Sequence, residues 1–280
     1  MTGRGRALIA ALIVFAVAVG VLIGSGPLRH AITSGSSDAD DLSQAREEAT
    51  AARGQAQLGQ DFADAAGQAA VRGGLEGYTV ALVRMADATP ADVDAATARL
   101  ATAGATVGAS VALTDEWTSD DRAPFRDALA DQLADALTSM PPGASTSEAL
   151  SYALAQALVG GGEFDAVGQE SADTLWTVLT EAHLVTGERS APVNAVVVVS
   201  GGGDVSDVTG AFVAQTSGVV VAATGDDAGG VGSAASVTHA ASFYGAWTVV
   251  GALIETVGGV SGTYDAADAP DVIARIGGDW

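Results

Sequence analysis

The chain has 280 residues, 48% of them hydrophobic and 16% charged, and its 34 acidic and 12 basic side chains give a formal charge of −22. It contains no cysteine, which excludes disulfides, iron–sulfur clusters, thiolate metal sites and cysteine nucleophiles. The apolar content is ample for a packed core, and the strong negative charge opposes binding to nucleic acids and to anionic lipid surfaces.

The charge is divided unevenly along the chain. Arg4, Arg6 and Arg29 are the only charged residues before position 38, so the first 37 residues carry +3 and the remainder carries −25. Residues 7–24 are an uncharged run of 18, which as a helix would be about 27 Å long. This length is sufficient to cross a hydrocarbon core, and we predict a transmembrane signal-anchor over residues 7–28.

Two interpretations of this first segment remain open. A basic start followed by an apolar core is also typical of a cleaved signal peptide, although the run is long and no A-x-A cleavage site follows it. In the anchor interpretation, Arg4 and Arg6 keep residues 1–6 in the cytoplasm. The chain after a linker over 29–37 is then extracytoplasmic, in a single-pass protein of the cell membrane.

Small residues in the predicted span and in the segment after it favour self-association. Ala16, Gly20 and Gly24 lie four residues apart, a spacing that lets two membrane helices approach closely, although alanine and glycine are frequent throughout this chain. Residues 38–72 contain no proline and predict a helical stalk with heptad columns of small or apolar residues. These seam positions are Leu42, Ala45, Ala49, Ala52, Ala56, Ala63 and Ala66. We expect a parallel homodimer; the alternative is a lone alanine-rich helix that packs on its own domain.

Beyond Gly73-Gly74 the pattern changes to alternating strands and helices. Four apolar runs predict buried strands, at 78–83, 106–113, 193–199 and 219–223. Helical patterns cover 90–103, 123–139, 145–159, 168–185, 205–216 and 240–257. This alternation predicts an extracytoplasmic α/β domain over 75–280, with a mostly parallel sheet of about four strands and helices on both faces. We expect the helix-rich middle of this domain to form an insert or a cap.

Glycine-rich loops follow two of the predicted strands, at the sheet edge where ligands of parallel sheets bind. They cover residues 200–204 and 224–230. Neither contains the G-x-G-x-x-G or G-K-[ST] pattern of a nucleotide-binding loop, and Asp204 and Asp207 would repel a phosphate. We therefore predict tight turns at both places.

No catalytic constellation is evident in the sequence. Ser200 is not part of a G-x-S-x-G elbow, and the acidic pairs at 120–121 and 226–227 do not form an EF-hand loop. The three histidines, His30, His183 and His239, have no second histidine or carboxylate at a regular ligand spacing. We predict a protein that is not an enzyme and has no cofactor, with His183 and His239 as weak metal-ligand candidates.

Several stretches nevertheless resemble a known actinobacterial family. They are the end of the apolar run, Val19–Leu28, then Gly104–Leu113 with the following Thr-Asp-Glu-Trp, and Val249–Gly259 near the C-terminus. Together with the order of span, stalk and α/β domain, these stretches are similar to the copper transporter MctB family of envelope proteins. The resemblance implies a role in copper transport or efflux across the envelope.

The residues themselves give copper little chemical support. Cu(I) favours cysteine or methionine ligands and Cu(II) favours imidazole, whereas this chain offers three methionines, three histidines and no cysteine. Other relatives in the resemblance are the SteB-like regulators of cell-wall hydrolases at division. A membrane-anchored interaction module with an envelope protein partner is therefore the alternative function. On this inventory, we expect no tight copper site in the part of the chain after residue 37.

Overall fold

The structure, a computed structural model, describes residues 38–162, 164, 167–229 and 232–277. The predicted anchor over 7–28 lies outside the described residues, together with Ala16, Gly20, Gly24 and the flanking segments. Within the described part, no helix combines the length and the hydropathy needed to cross a membrane. The described chain forms two compact units, residues 38–69 and residues 70–277.

The first unit is formed by helix α1, Asp38–Val71, whose last two residues belong to the second unit. All the predicted seam residues from Leu42 to Ala66 lie in this helix, and the glycines at 54 and 59 do not interrupt it. Side-chain hydrogen bonds one turn apart, such as those that Gln44 and Gln57 donate to Glu48 and Asp61, support it locally. Leu58 and Phe62, also one turn apart, are 69% and 47% exposed.

The second unit is built on one seven-stranded sheet. Its strands are β1 Thr79–Arg84, β2 Thr106–Leu113, β3 Val185–Arg189, β4 Ala195–Ser200, β5 Gly218–Ala223, β6 Ala235–Thr238 and β7 Thr263–Asp265. They lie in the order β3-β2-β1-β4-β5-β6-β7. Only β3 is antiparallel to its neighbour; all other pairs are parallel. The mostly parallel α/β architecture is confirmed, but the predicted number of strands, about four, is wrong.

The helices cover both faces of this sheet. They are α2 Pro90–Thr102, α3 Ala123–Leu133, α4 Thr146–Val159, α5 Gln169–Glu181, α6 Ser206–Val213, α7 Phe243–Val257 and α8 Ala269–Ile276. Short 3₁₀ turns occupy Asp115–Trp117, Asp120–Arg122, Ala134–Ala136 and Ala266–Asp268. The predicted helix over 123–139 therefore ends early, at Leu133, and the predicted helix over 168–185 ends at Glu181, before strand β3 begins.

Alternation along each strand separates two hydrophobic cores. On β1, Ala81 and Val83 pack with residues of α3, α4, α5 and α6, whereas Val80 and Leu82 pack with residues of α2, α7 and α8. Strands β4 and β5 are buried along their whole length, as expected of central strands covered on both faces. The helices of the middle of the domain, α3, α4 and α5, thus form part of the layer that covers one face of the sheet, and the expectation that they form an insert or a cap is wrong.

Strand β3, like β6 and β7, is an element that the apolar pattern did not reveal. Its middle residues are exposed, and Gly187 has φ 126°, a conformation that favours glycine. Arg189 joins the strand to α5 through an ion pair with Asp173 and donates a hydrogen bond to the carbonyl of Gly160. Side-chain contacts therefore contribute to placing β3, which presents a polar surface at the edge of the sheet.

Close packing of α7 on α8 predicts a measurable effect at Gly251. A Cβ added there would overlap the buried Val272 of α8, so Gly251→Ala should destabilise the fold by about 1–3 kcal/mol. The matched control is Gly210→Ala in α6, where a Cβ would meet no neighbouring atom. This change should stabilise by about 0.4–1 kcal/mol. Urea unfolding of the full chain in detergent measures both; equal effects would contradict the packing described for α7 and α8.

Candidate functional site

The order of the strands reverses between β1 and β4. From β1 the chain continues to β2 on one side, and it later returns to place β4 on the other side. In open α/β sheets, the crevice outside the carboxyl ends of the two strands at such a switch point is the usual ligand site. The segments that leave β1 and β4 here are residues 85–89 and 201–205.

The glycine-rich loop after β4 has two of its N–H groups occupied by the chain itself. Gly202 donates to the hydroxyl of Ser200 over 3.0 Å, and Gly203 donates to Oδ2 of Asp87 over 2.9 Å. A Cβ at Gly201 would overlap the backbone of Asp87, so glycine permits the close approach of the two loops. These N–H groups are therefore not available for a phosphate.

Beside this loop lies an open cleft of about 340 Å³. It is formed by the ends of β1 and β4, by the turn after β2 and by the first turns of α3, α4 and α6. Its lining residues are Met85, Trp117, Thr118, Arg126, Asp127, Thr146, Ser147, Leu150 and the segment 204–208. The volume lies within the range of small-molecule sites, roughly 300–1,000 Å³.

Hydrogen bonds fix the polar walls of this cleft. Nη1 of Arg126 donates to the carbonyls of Glu116 and Ser119, over 2.9 and 2.6 Å, which ties α3 to the turn after β2. The hydroxyl of Thr146 donates to Asp127 over 2.6 Å and joins α4 to α3. Oδ1 of Asp204 accepts the N–H of Ser206, and this bond lowers the pKa of Asp204 below its ordinary value.

A second cluster lies at the carboxyl ends of β5, β6 and β7. His239 follows β6 and has φ 52°, and its ring is flanked by two carboxylates. Nε2 lies 2.7 Å from Oδ1 of Asp226, in the loop after β5, and Nδ1 lies 2.7 Å from Oδ2 of Asp265, at the end of β7. The parallel register brings these three residues together although they are distant in the chain.

The two carboxylates of this cluster differ in their surroundings. Asp265 also accepts hydrogen bonds from the N–H of Ala267 and the hydroxyl of Thr238, and these, with His239, hold its pKa well below its usual range. The side chain of Asp226 is 94% exposed. The hydrogen bond to Asp265, with a smaller contribution from Asp226, raises the pKa of His239 above its ordinary value of 6.5.

The other predicted residues are not brought together. His183 lies after α5 in a left-handed turn (φ 59°), and its carbonyl, not its ring, accepts a hydrogen bond from Thr114. The expectation that it lies on a helix is wrong. Ser200 is fully buried and accepts a bond from Gly202. Among the described residues, no three His, Asp or Glu side chains form a group that could hold a metal ion.

Sequence reasoning named His239 and the acidic pair at 226–227 but did not connect them, and it missed Asp265 and, in the cleft, Arg126 and Trp117. Asp226 and Asp265 lie 13 and 26 residues from His239, so no local spacing connects them. Arg126 and Trp117 join the cleft through α3 and a 3₁₀ turn, neither of which carries a recognisable motif. The signal that was available is the rule that carboxyl ends of parallel strands meet at one edge.

A family model described as copper transport outer membrane protein, MctB, matches residues 6–272. The match covers nearly the whole chain, so the chain belongs to this family, whose name indicates a copper-transport-related protein of the envelope. No curated protein matches the chain. The resemblance given by the quoted stretches is thereby confirmed.

The cluster around His239 predicts a shifted titration. By NMR of the full chain in detergent, the imidazole of His239 should titrate with a midpoint above 6.5, and Asp265→Asn should lower that midpoint. Because the folded-state pKa is raised, the protonated ring stabilises the fold below the unfolded pKa, and this contribution is lost as the pH rises through the folded pKa. Asp271→Asn, on the exposed start of α8, is the control and should leave the midpoint unchanged. A midpoint that is equal in the wild type and Asp265→Asn would contradict the geometry.

Proposed function

We propose that this member of the family takes part in copper transport across the cell envelope as a non-enzymatic, single-pass protein whose outer domain binds copper transiently at His239. The observation that carries the proposal is the imidazole held between Asp265 and Asp226, each 2.7 Å away. Copper is the cargo in this proposal. One apolar span in a chain cannot enclose a pore, so the role of a single copy is binding and transfer.

The arrangement suits a labile ligand rather than a closed cage. Metal-binding histidines commonly have their second ring nitrogen hydrogen-bonded to a carboxylate, which orients the ring, and Asp265 is placed for that role at Nδ1. The two carboxylates contact opposite nitrogens, so a Cu(II) ion at Nε2 would have at most Asp226 as its second ligand from this cluster. Its remaining positions would be taken by water or by ligands of another molecule, which favours exchange over storage.

Calorimetric titration of the full chain in detergent with Cu(II) tests this proposal. At about 0.15 M salt the Debye length is about 8 Å, so diffuse attraction of copper by the acidic surface is largely screened. We expect one weak site, not a sub-micromolar one, and its loss in His239→Ala because the imidazole is its main ligand. His183→Ala is the matched control and should retain the site.

Three outcomes of this titration are distinguishable. Loss of binding in His239→Ala alone supports the proposal. Equal binding by both variants and the wild type would refute it. Tight, stoichiometric binding abolished by His239→Ala would contradict the expectation of a labile site and indicate ligands beyond the described residues.

Self-association through the span and the stalk belongs to the same proposal. The largest exposed apolar side chains of α1 are Leu58 and Phe62; Leu58 lies on a different face from the predicted seam, and Phe62 flanks the seam, one turn before Ala66. Leu58 is two residues from Ala56, hence about 200° around the helix. A second copy that packed on the Leu58 face would bury more apolar area than one that packed on the alanine columns.

Sedimentation of the full chain in detergent should therefore show a dimer. Replacing both Leu58 and Phe62 by serine should weaken it, because burial contributes about 25 cal/mol per Å² and these side chains supply the most area. The matched control replaces Ala45 and Ala52 by serine. If only the control variant loses the dimer, the predicted seam is the interface and the Leu58 face is not. A wild-type monomer at high concentration would exclude self-association.

The second candidate function is the regulation of cell-wall hydrolases through a protein partner, as in SteB-like relatives. The cleft at the switch point favours it, since this cleft is a ready binding surface that copper chemistry does not use. Capture of envelope proteins by the full chain, with Asp207→Asn and the exposed Asp131→Asn compared, separates the two functions. A hydrolase regulator lost only with Asp207→Asn would favour this candidate over copper transfer.

A further inference from the structure

The cleft at the switch point contains hydrogen-bond donors and acceptors that have no partner in the described part of the fold. It lies between β1, β4 and the first turns of α3, α4 and α6. The residues of this cleft are separate from His239 and from any copper bound there. The cleft is lined on its apolar side by Met85, Trp117, Leu150, Val205 and Val208, all of them buried. Such a wall beside a few convergent polar groups is the usual composition of a small-molecule site.

The acceptors of the cleft are three carboxylates, of which two are engaged. Asp127 accepts the hydroxyl of Thr146, and Asp204 accepts the N–H of Ser206. Asp207, half-buried in the first turn of α6, has no hydrogen-bond partner among the residues that the structure describes. A ligand group that donates hydrogen bonds and carries a positive charge would supply the partner that Asp207 lacks.

The donors of the cleft come from α3, α4, α6 and the 3₁₀ turn after β2. Nη1 of Arg126 is engaged with two carbonyls, which holds the guanidinium in place and leaves its other N–H groups available. The first turns of α4 and α6 supply the N–H groups of Ser147 and Val208, which have no partner within their helices. Trp117 is 6% exposed, and its indole N–H donates to none of the described residues. A carboxylate is the ligand group that matches this set.

This mixture of carboxylates and positively charged donors disfavours a ligand that carries charge of only one sign. A purely anionic molecule would meet three carboxylates, and a purely cationic one would meet the guanidinium and the positive ends of two helix dipoles. We propose that the cleft binds a zwitterion with an α-amino and a carboxylate group, either a free amino acid or a short peptide with free termini. The ammonium group is bound by Asp207, and the carboxylate is bound by Arg126 and the helix N–H groups.

Calorimetry of the full chain in detergent with four probes tests this assignment. The probes are alanine, alanyl-alanine, N-acetyl-alanyl-alanine and alanyl-alanine amide. Removing either terminal charge should weaken binding by about tenfold or more, since a hydrogen bond between charged groups is lost. Tighter binding of alanyl-alanine than of alanine identifies a peptide as the ligand, and the reverse identifies an amino acid.

One variant and two control variants locate the contact. Asp207→Asn should weaken alanyl-alanine and abolish the discrimination against its acetylated form, because the partner of the ammonium group is gone. Asp131→Asn, an exposed acid of α3 outside the cleft, should bind as the wild type does. His239→Ala should also bind alanyl-alanine normally, which separates this inference from the copper proposal.

The assignment is overturned by any of three results. These are no heat of binding from alanine or alanyl-alanine at millimolar concentration, equal affinity for the free and the acetylated dipeptide, or equal effects of Asp207→Asn and Asp131→Asn. Thermal unfolding of each variant, followed by circular dichroism, shows that a loss of binding is not a loss of fold.

Discussion

Strand β1 hydrogen-bonds to β2 on one side and to β4 on the other, and this double pairing determines where loops leave the sheet. The register sets Arg84 beside Val199 and Ala112, so three loops leave the same edge of the sheet. Both faces of these strands are buried, and a slip by one residue would exchange the two cores. The position of the cleft is therefore as rigidly specified as the core.

The central part of this sheet could be predicted from the sequence because its strands are apolar on both faces. The four consecutive valines of Val196–Val199 predict a strand that is covered on both faces of a sheet. Thr89-Pro90 marks the start of α2, where the N–H of Thr89 donates a capping hydrogen bond to Asp92. Strands β3, β6 and β7 lack this signal. They are short or polar, and their strand conformation depends on pairing with neighbours that the linear pattern does not show.

The residues of the two candidate clusters could not be grouped from the sequence for a related reason. A parallel sheet brings together residues that are separated by whole helices, so the neighbours of His239 and Arg126 follow from topology and not from spacing. In a chain with so many acids, an exposed imidazole meets carboxylates readily, and here Asp265 and Asp226 each lie 2.7 Å from one of its ring nitrogens.

The loop after β5 connects the two clusters physically. Asp226 contacts the ring of His239, and the N–H of His239 donates to the carbonyl of Gly225 over 3.1 Å. A few residues further, Gly229 has φ 71° and lies so close to the carbonyl of Gly203 that a Cβ would overlap it. Gly203 in turn precedes Asp204 of the cleft and is bonded to Asp87. Because glycine permits this close approach, the loop that carries Asp226 and the loop that leads to Asp204 are in direct backbone contact, so the positions of the two clusters depend on the same pair of loops.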